Sequence, residues 1–261
     1  LISTSDDTSR YDAGIVADYL RHRPFPQDLV QHLVQQGGIA HDTRVLDLAG
    51  GPGDLACKLA AVSAAVSMSD LSRGFVAAAT DRARALGLRL DAQHESANRL
   101  AQSSGSYDVI TVAQALHWLD DVQVVRGVCH TLAEGGSFFV VHSAMDLPDE
   151  HPLAYLLGHD SILGKKDRKP FAAEVQPLLR RVALLFQALD ARGVEHVDLR
   201  HAHAPQAAPV GVAGAQLFTQ TRPFDLGYAK GFLTPRHIER TGLSETAFWR
   251  DLQARCKGQP A

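Results

Sequence analysis

A parallel, doubly wound α/β fold is predicted by two observations. Between Thr43 and Ser143, short β-like runs alternate with helical stretches. That is the pattern of βαβ units, whose parallel sheet carries helices on both faces. The first run ends in Gly50-Gly51-Pro52-Gly53, a turn at the carboxyl end of a strand, where ligands gather in such sheets.

Taken in order, Arg44-Val45-Leu46-Asp47-Leu48 reads as the first strand, and Asp54 to Val62 as the helix after the glycines. Ala65 to Ser69 is a second strand ending at Asp70, and Ser72 to Leu86 an Ala/Arg-rich helix stopped by Gly87. Arg89 to Gln93 reads as a third strand and the β-branched run Tyr107 to Val112 as a fourth. Val122 to Leu132 is helical, Gly135-Gly136 turns the chain, and Ser137 to His142 forms a fifth strand. Upstream, Ile15 to Leu20 and Asp28 to Gln35 read as short helices separated by Arg23-Pro24-Phe25-Pro26. Downstream, 144–170 reads as loop. Ala172 to Ala191 follows with apolar residues at 3.6-residue spacing, a helix packed on the sheet or a lid over substrate. Gln216 to Phe224 reads as a late strand and Ser244 to Cys256 as a terminal helix.

Composition narrows the function. A formal net charge of −3 gives no cationic excess for a polyanion, so no nucleic-acid partner is expected. No apolar run approaches a membrane span and no leader pattern opens the chain. Cys57, Cys129 and Cys256 lie far apart with no C-x-x-C pair, which fits reduced thiols and a cytoplasmic location. His196, His201 and His203 invite a metal reading, but no cysteine or placed carboxylate completes a set; no metal is expected.

Gly51-x-Gly53-x-x-Ala56 formally matches a dinucleotide fingerprint. Two details favour another ligand. Asp47 and Asp54 bracket the loop, and no Lys or Arg follows until Lys58. A pyrophosphate there meets carboxylates, whereas S-adenosylmethionine brings an ammonium and a sulfonium. Pro52 also removes one of the backbone N–H donors on which phosphate cradles depend. Asp70, at the second strand's end, suits the ribose hydroxyls of either cofactor, or else a helix N-terminus for which Ser72 competes.

Asp47-Leu-Ala-Gly-Gly-Pro-Gly-Asp54, Asp70, and Gln114-Ala-Leu-His-Trp118 after the fourth strand resemble the class I methyltransferase family. The branch they are similar to includes trans-aconitate and ubiquinone/menaquinone-type methyltransferases. Tyr19-Leu-Arg-His-Arg-Pro-Phe-Pro26 resembles an N-terminal segment of that branch, with Phe25 where Tyr is usual. The resemblance covers residues 11–143. It implies a Rossmann-like sheet of seven strands, with S-adenosylmethionine as cofactor and S-adenosylhomocysteine as product. By it, Asp47 would hold the methionine amino group, and Ala49, Gly50, Gly51 and Gly53 would lie against the cofactor. Asp70 would take the ribose, Leu71 would pack on the adenine, and Ala97 and Asn98 would flank the adenine amine, where the family usually has an acidic residue for Asn98. Gln114 and Ala115 would line the methionine end, with Tyr19 and Arg23 covering the site from the arm.

Attack of an acceptor on the methyl carbon of a sulfonium is an in-line displacement, so alignment dominates, and a neutral acceptor also calls for a base near neutral pH. His117, after the fourth strand, is the candidate, or else it packs with Trp118 as structure. Tyr11, His142 and 144–170 are further pocket-wall candidates. The expected organisation is an N-terminal helical arm (1–42), a cofactor-binding core (43–143), a lid or substrate insertion (144–215), and C-terminal strands and helix (216–261). The expected activity is methyl transfer to an O, N or C atom of a small metabolite. An NAD(P)-dependent oxidoreductase and a catalytically silent S-adenosylmethionine-binding protein are the alternatives, and a homodimer is left open.

Overall fold

The strands of the computed structural model lie in one parallel five-stranded sheet of order β3-β2-β1-β4-β5. The structure describes residues 24–142 and 243–256, with Val16, Tyr19, Leu20 and eight residues between 180 and 189. In chain order the elements are α1 (Gln27–Gln36), β1 (Arg44–Leu48), α2 (Asp54–Ala60), β2 (Ala65–Asp70), α3 (Arg73–Ala85) and β3 (Asp91–His94). There follow β4 (Tyr107–Ala113), α4 (Asp121–Thr131), β5 (Leu132–Val141) and α5 (Glu245–Cys256). Short 3₁₀ turns occupy Ala97–Gln102 and Leu116–Trp118. The doubly wound α/β class is as expected; five of the seven expected strands fall among the described residues.

Alternation along the central strands sorts the core into two faces. Val45 and Val109 join Leu29, Leu33, Leu55, Leu59 and Ala79 under α1, α2 and α3. Leu46, Leu48, Ile110 and Val112 point the other way, against Val124 and Val128 of α4 and Leu185 and Leu189. The described residues between 180 and 189 are helical, and the burial of Leu185 and Leu189 in this cluster identifies that stretch as a helix packed on the sheet. Arg181 fixes it at one end, donating to both carboxylate oxygens of Asp121 and to the Leu119 carbonyl.

Two strands differ from expectation. β3 is Asp91–His94 rather than Arg89–Gln93, because pairing with β2 begins only at Ser67↔Asp91, while Leu88 and Leu90 pack into the core beforehand. β5 begins at Leu132 rather than Ser137, directly after α4. Gly135-Gly136 lies within β5 as an irregularity: Tyr107 pairs with Leu132 but Val109 already pairs with Ser137, and Gly135 takes φ +71°, so the extra residues bulge without breaking the strand. Ser72, the competing candidate for the helix cap, takes that role, accepting from the Phe75 N–H, so the helix itself begins at Arg73. Val16, Tyr19 and Leu20 are helical, within the helix expected from Ile15 to Leu20. Apart from those helical residues between 180 and 189, the expected lid of 144–215, the late strand at 216–224 and the histidines at 196, 201 and 203 lie outside the described residues.

Candidate active site

The carboxyl ends of β1 and β4, neighbours in the sheet, share an unusual backbone. Ala49 and Gln114, the residues immediately after them, take φ +56° and +57°. Left-handed conformations cost a residue with a Cβ about 1–2 kcal/mol, and two such residues stand side by side where strand order reverses. This is the crevice in which open α/β sheets bind ligands.

Asp47 sits on the apolar face beneath the glycine loop and is fully buried. Its Oδ1 accepts from Thr111 Oγ1 at 2.7 Å across the β1–β4 pair, while Oδ2 is buried with no hydrogen-bond partner. Burial pushes this carboxyl up to about 7; the Thr111 hydroxyl opposes the rise and the charge of Asp70 adds to it. At Gly50 a Cβ would stand 2.7 Å from Asp47 Oδ2, so only glycine leaves the approach to that oxygen open. Gly53 has a different reason: φ is +79° and a Cβ would lie 2.6 Å from the Ala79 Cβ, so it permits the close packing of the α2 start on α3.

Asp70 accepts the Gly51 N–H at 2.9 Å through Oδ2 and the Ser72 N–H at 2.8 Å through Oδ1. Burial raises its pKa, and these two bonds restrain the rise. Each oxygen retains a lone pair for a further donor, so the same carboxylate braces the loop and faces the cleft. Leu71 next to it is 48% exposed, an apolar side chain held at the surface, with its carbonyl accepting from His94 Nε2. Ala97 is buried. Asn98 turns its Oδ1 to the Asp120 N–H at 3.1 Å, tying the segment after β3 to the start of α4.

Past β4, the Gln114 N–H donates to the Val141 carbonyl, and its Nε2 is a second buried atom without a partner. Ala115 is buried. The 3₁₀ turn then carries His117 and Trp118 outward, with ring centroids 5.1 Å apart; Trp118 is 53% exposed. His142, just past β5, sets its ring edge-on to His117 at 6.3 Å. From the arm, Tyr19 lies 5.7 Å from the Phe75 ring at the start of α3, beside Gly51. Arg23 lies outside the described residues.

Asp54 corrects the sequence reading. Its oxygens are taken by Lys58 Nζ at 2.7 Å, Arg82 Nη2 at 3.0 Å and the Phe25 N–H at 2.7 Å, and Lys58 also donates to the Phe25 carbonyl. It fastens arm, loop helix and α3 together and leaves no net negative charge for a ligand. The second carboxylate beside the loop is Asp70. Thr111 escaped the sequence reading altogether, although a hydroxyl in the buried run Val-Ile-Thr-Val signals a polar partner on the next strand. A cleft of about 800 Å³ opens at the opposite, amino edge of the sheet. Its Arg44 and Arg84 are bound to Asp108 and Asp81, and none of the strand-end loops reaches it.

A methyltransferase-domain family model matches residues 45–136, the segment that carries β1 to β4, α2 to α4 and the strained turns. Residues 45–136 thus match a methyltransferase domain. The ubiquinone/menaquinone biosynthesis C-methyltransferase of Zymomonas mobilis is 30% identical over 136 residues, covering 50% of this chain and 54% of that protein. The Stenotrophomonas maltophilia protein of the same name is 35% identical over 99 residues, 36% and 39% of the two chains. An uncharacterized Mycobacterium tuberculosis protein is 37% identical over 78 residues, 30% and 28%. The matches thus span from about a quarter to about half of these relatives. Among solved structures, a Thiobacillus denitrificans methyltransferase in complex with S-adenosylhomocysteine superposes with TM-score 0.46 at 20% identity, covering 69% of this chain and 77% of that one. The family match favours a methyltransferase over the oxidoreductase left open by the glycine fingerprint. Among the described residues, no helix of the methyltransferase domain or α5 is long and apolar enough to cross a membrane.

Proposed function

We propose that this chain transfers a methyl group from S-adenosylmethionine to an O, N or C atom of a small molecule, releasing S-adenosylhomocysteine. The observation that carries the reading is the pair of buried, unpartnered polar atoms, Asp47 Oδ2 and Gln114 Nε2, at the ends of adjacent central strands. A buried carboxylate oxygen without a donor is costly, and a ligand ammonium meets that need; a side-chain amide suits the ligand carboxylate that accompanies it.

The remaining residues fit the same cofactor. The backbone at Ala49, Gly50 and Gly51 lies beside the unpartnered oxygen, and Gly53 keeps the loop tight on α3. Asp70 has lone pairs for ribose hydroxyls, and Leu71 offers an apolar surface for a base. Ala97 and Asn98 close the adenine side; Ala115 and Tyr19 complete the walls. The sulfonium supplies an activated methyl, so the chain's task is to bind, orient and, for a neutral acceptor, remove a proton. His117 is the candidate for that proton, standing beyond Gln114 on the acceptor side.

Calorimetric titration with S-adenosylhomocysteine, with NAD and NADP as controls, tests the reading. Micromolar binding of the thioether nucleoside alone supports it. Binding of NAD or NADP in its place defeats it. A chain that binds S-adenosylhomocysteine and methylates nothing in a broad acceptor screen is the silent binding protein instead.

A further inference from the structure

His117 and His142 come from different strand ends, yet their rings meet edge-to-face with planes at 86° and centroids 6.3 Å apart. None of the described residues hydrogen-bonds to a nitrogen of either ring, whereas His94 and His41 are both engaged by neighbours. Two imidazoles whose nitrogens have no partner among the described residues therefore flank the mouth of the crevice, with the exposed Trp118 indole against one of them.

We propose, resting on the methyl-transfer reading, that His117 and His142 work as one unit that holds a single proton and takes it from an uncharged acceptor bearing an ionisable O–H. The O–H proton passes to an imidazole nitrogen. The oxygen's freed electron pair forms the new O–C bond, and the electrons of the broken C–S bond return to sulfur, which becomes a neutral thioether. The imidazolium then gives its proton to water, to which both rings are open.

Electrostatics agrees with single occupancy. Partial shielding lowers the pKa of both rings, and a charge on His142 lowers that of His117 further, as does Arg181. Among the described residues, Asp120 and Asp121 follow His117 at the start of α4, where Asp121 is bound to Arg181, and β1, α4 and β5 also carry Arg44, Asp47, Arg126, His130 and Glu134. Both shifts favour the neutral imidazole, the form a base requires, and protonating one opposes protonating the other.

Two measurements test the unit. In the first, the ring C–H signals of the full chain are followed by NMR against pH for wild type, H117Q and H142Q. Both rings should titrate below the ordinary histidine value, and H142Q should raise the midpoint of His117. Independent titration of the two at the ordinary value overturns the unit. In the second, each variant is confirmed to bind S-adenosylhomocysteine, and labelled methyl transfer from S-adenosylmethionine is measured to phenols of graded acidity, probes whose proton affinity changes at nearly constant shape. The double variant H117Q/H142Q should lose about 10²–10⁴-fold, most for the least acidic phenols, since an acceptor already ionised needs no base. Equal losses across the series, or none, overturn the proton role, as does a wild type that binds S-adenosylhomocysteine and methylates no phenol. Failure of wild type to bind S-adenosylhomocysteine overturns the methyl-transfer reading itself, and the titration still judges the pair.

Discussion

Asp47 makes cofactor binding a pH-dependent equilibrium with a calculable slope. Its carboxyl, pushed up to about 7 by burial, is half protonated at neutral pH, and only the ionised form meets a ligand ammonium. The competent fraction is about 0.09 at about pH 6 and about 0.9 at about pH 8, so the apparent affinity for S-adenosylhomocysteine should rise about tenfold between them, ~1.4 kcal/mol. Binding near pH 7 should also release a fraction of a proton, visible as a calorimetric enthalpy that changes with the ionisation enthalpy of the buffer. Asp47→Asn keeps the acceptor for Thr111 but removes the charge; it should weaken binding by about 2–5 kcal/mol and abolish the pH slope. The reasoning is refuted if wild-type affinity is flat across this range, or if Asp47→Asn binds as tightly as wild type.

Stability carries the same signature with the opposite sign. A carboxyl raised in the folded state stabilises fully below about pH 4 and loses that contribution as pH rises through about 7, so ligand-free Asp47→Asn should gain on wild type across this window, approaching about 4 kcal/mol; urea unfolding at several pH values measures it. Gly53→Ala places a Cβ 2.6 Å from Ala79 in a left-handed residue and should cost about 3 kcal/mol, read by thermal unfolding. Asp54→Ala leaves Lys58 and Arg82, both mostly buried, without their carboxylate and should cost ~3 kcal/mol. Leu71→Ala, at an exposed position, should change stability by less than about 0.5 kcal/mol while weakening nucleoside binding by ~1 kcal/mol, a split that unfolding and titration together expose.

The core was legible because its signals are local. The β-branched run at 107–113, the helix-stopping Gly87 and the glycine cluster each state a strand, a helix end or a turn without reference to distant residues. The bulge in β5 was not legible, because a Gly-Gly pair signals a turn whether or not the chain returns to the same neighbouring strand. The site divides along the same line. Asp47 and Asp70 announce themselves by standing at strand ends. The engagement of Asp54 by Arg82 depends on how α3 packs across α2, which no spacing along the chain conveys. The left-handed turns at Ala49 and Gln114 are hidden for a related reason: neither residue type prefers that conformation, so tertiary structure alone imposes it.

The grip of Lys58 and Asp54 on the arm has a consequence for variation at residue 25. Both contacts go to main-chain atoms, one to the N–H and one to the carbonyl. The clamp therefore reads the path of the chain and is indifferent to the side chain it passes. For the clamp itself any residue that keeps its N–H would serve, while the Phe25 side chain packs separately against the core cluster of Leu29 and Leu55. Proline alone is barred, although prolines stand on either side, at Pro24 and Pro26. Position 25 is thus the gap in a stiff Pro-x-Pro strap through which the arm is buckled to the domain, its side chain left to pack against the core.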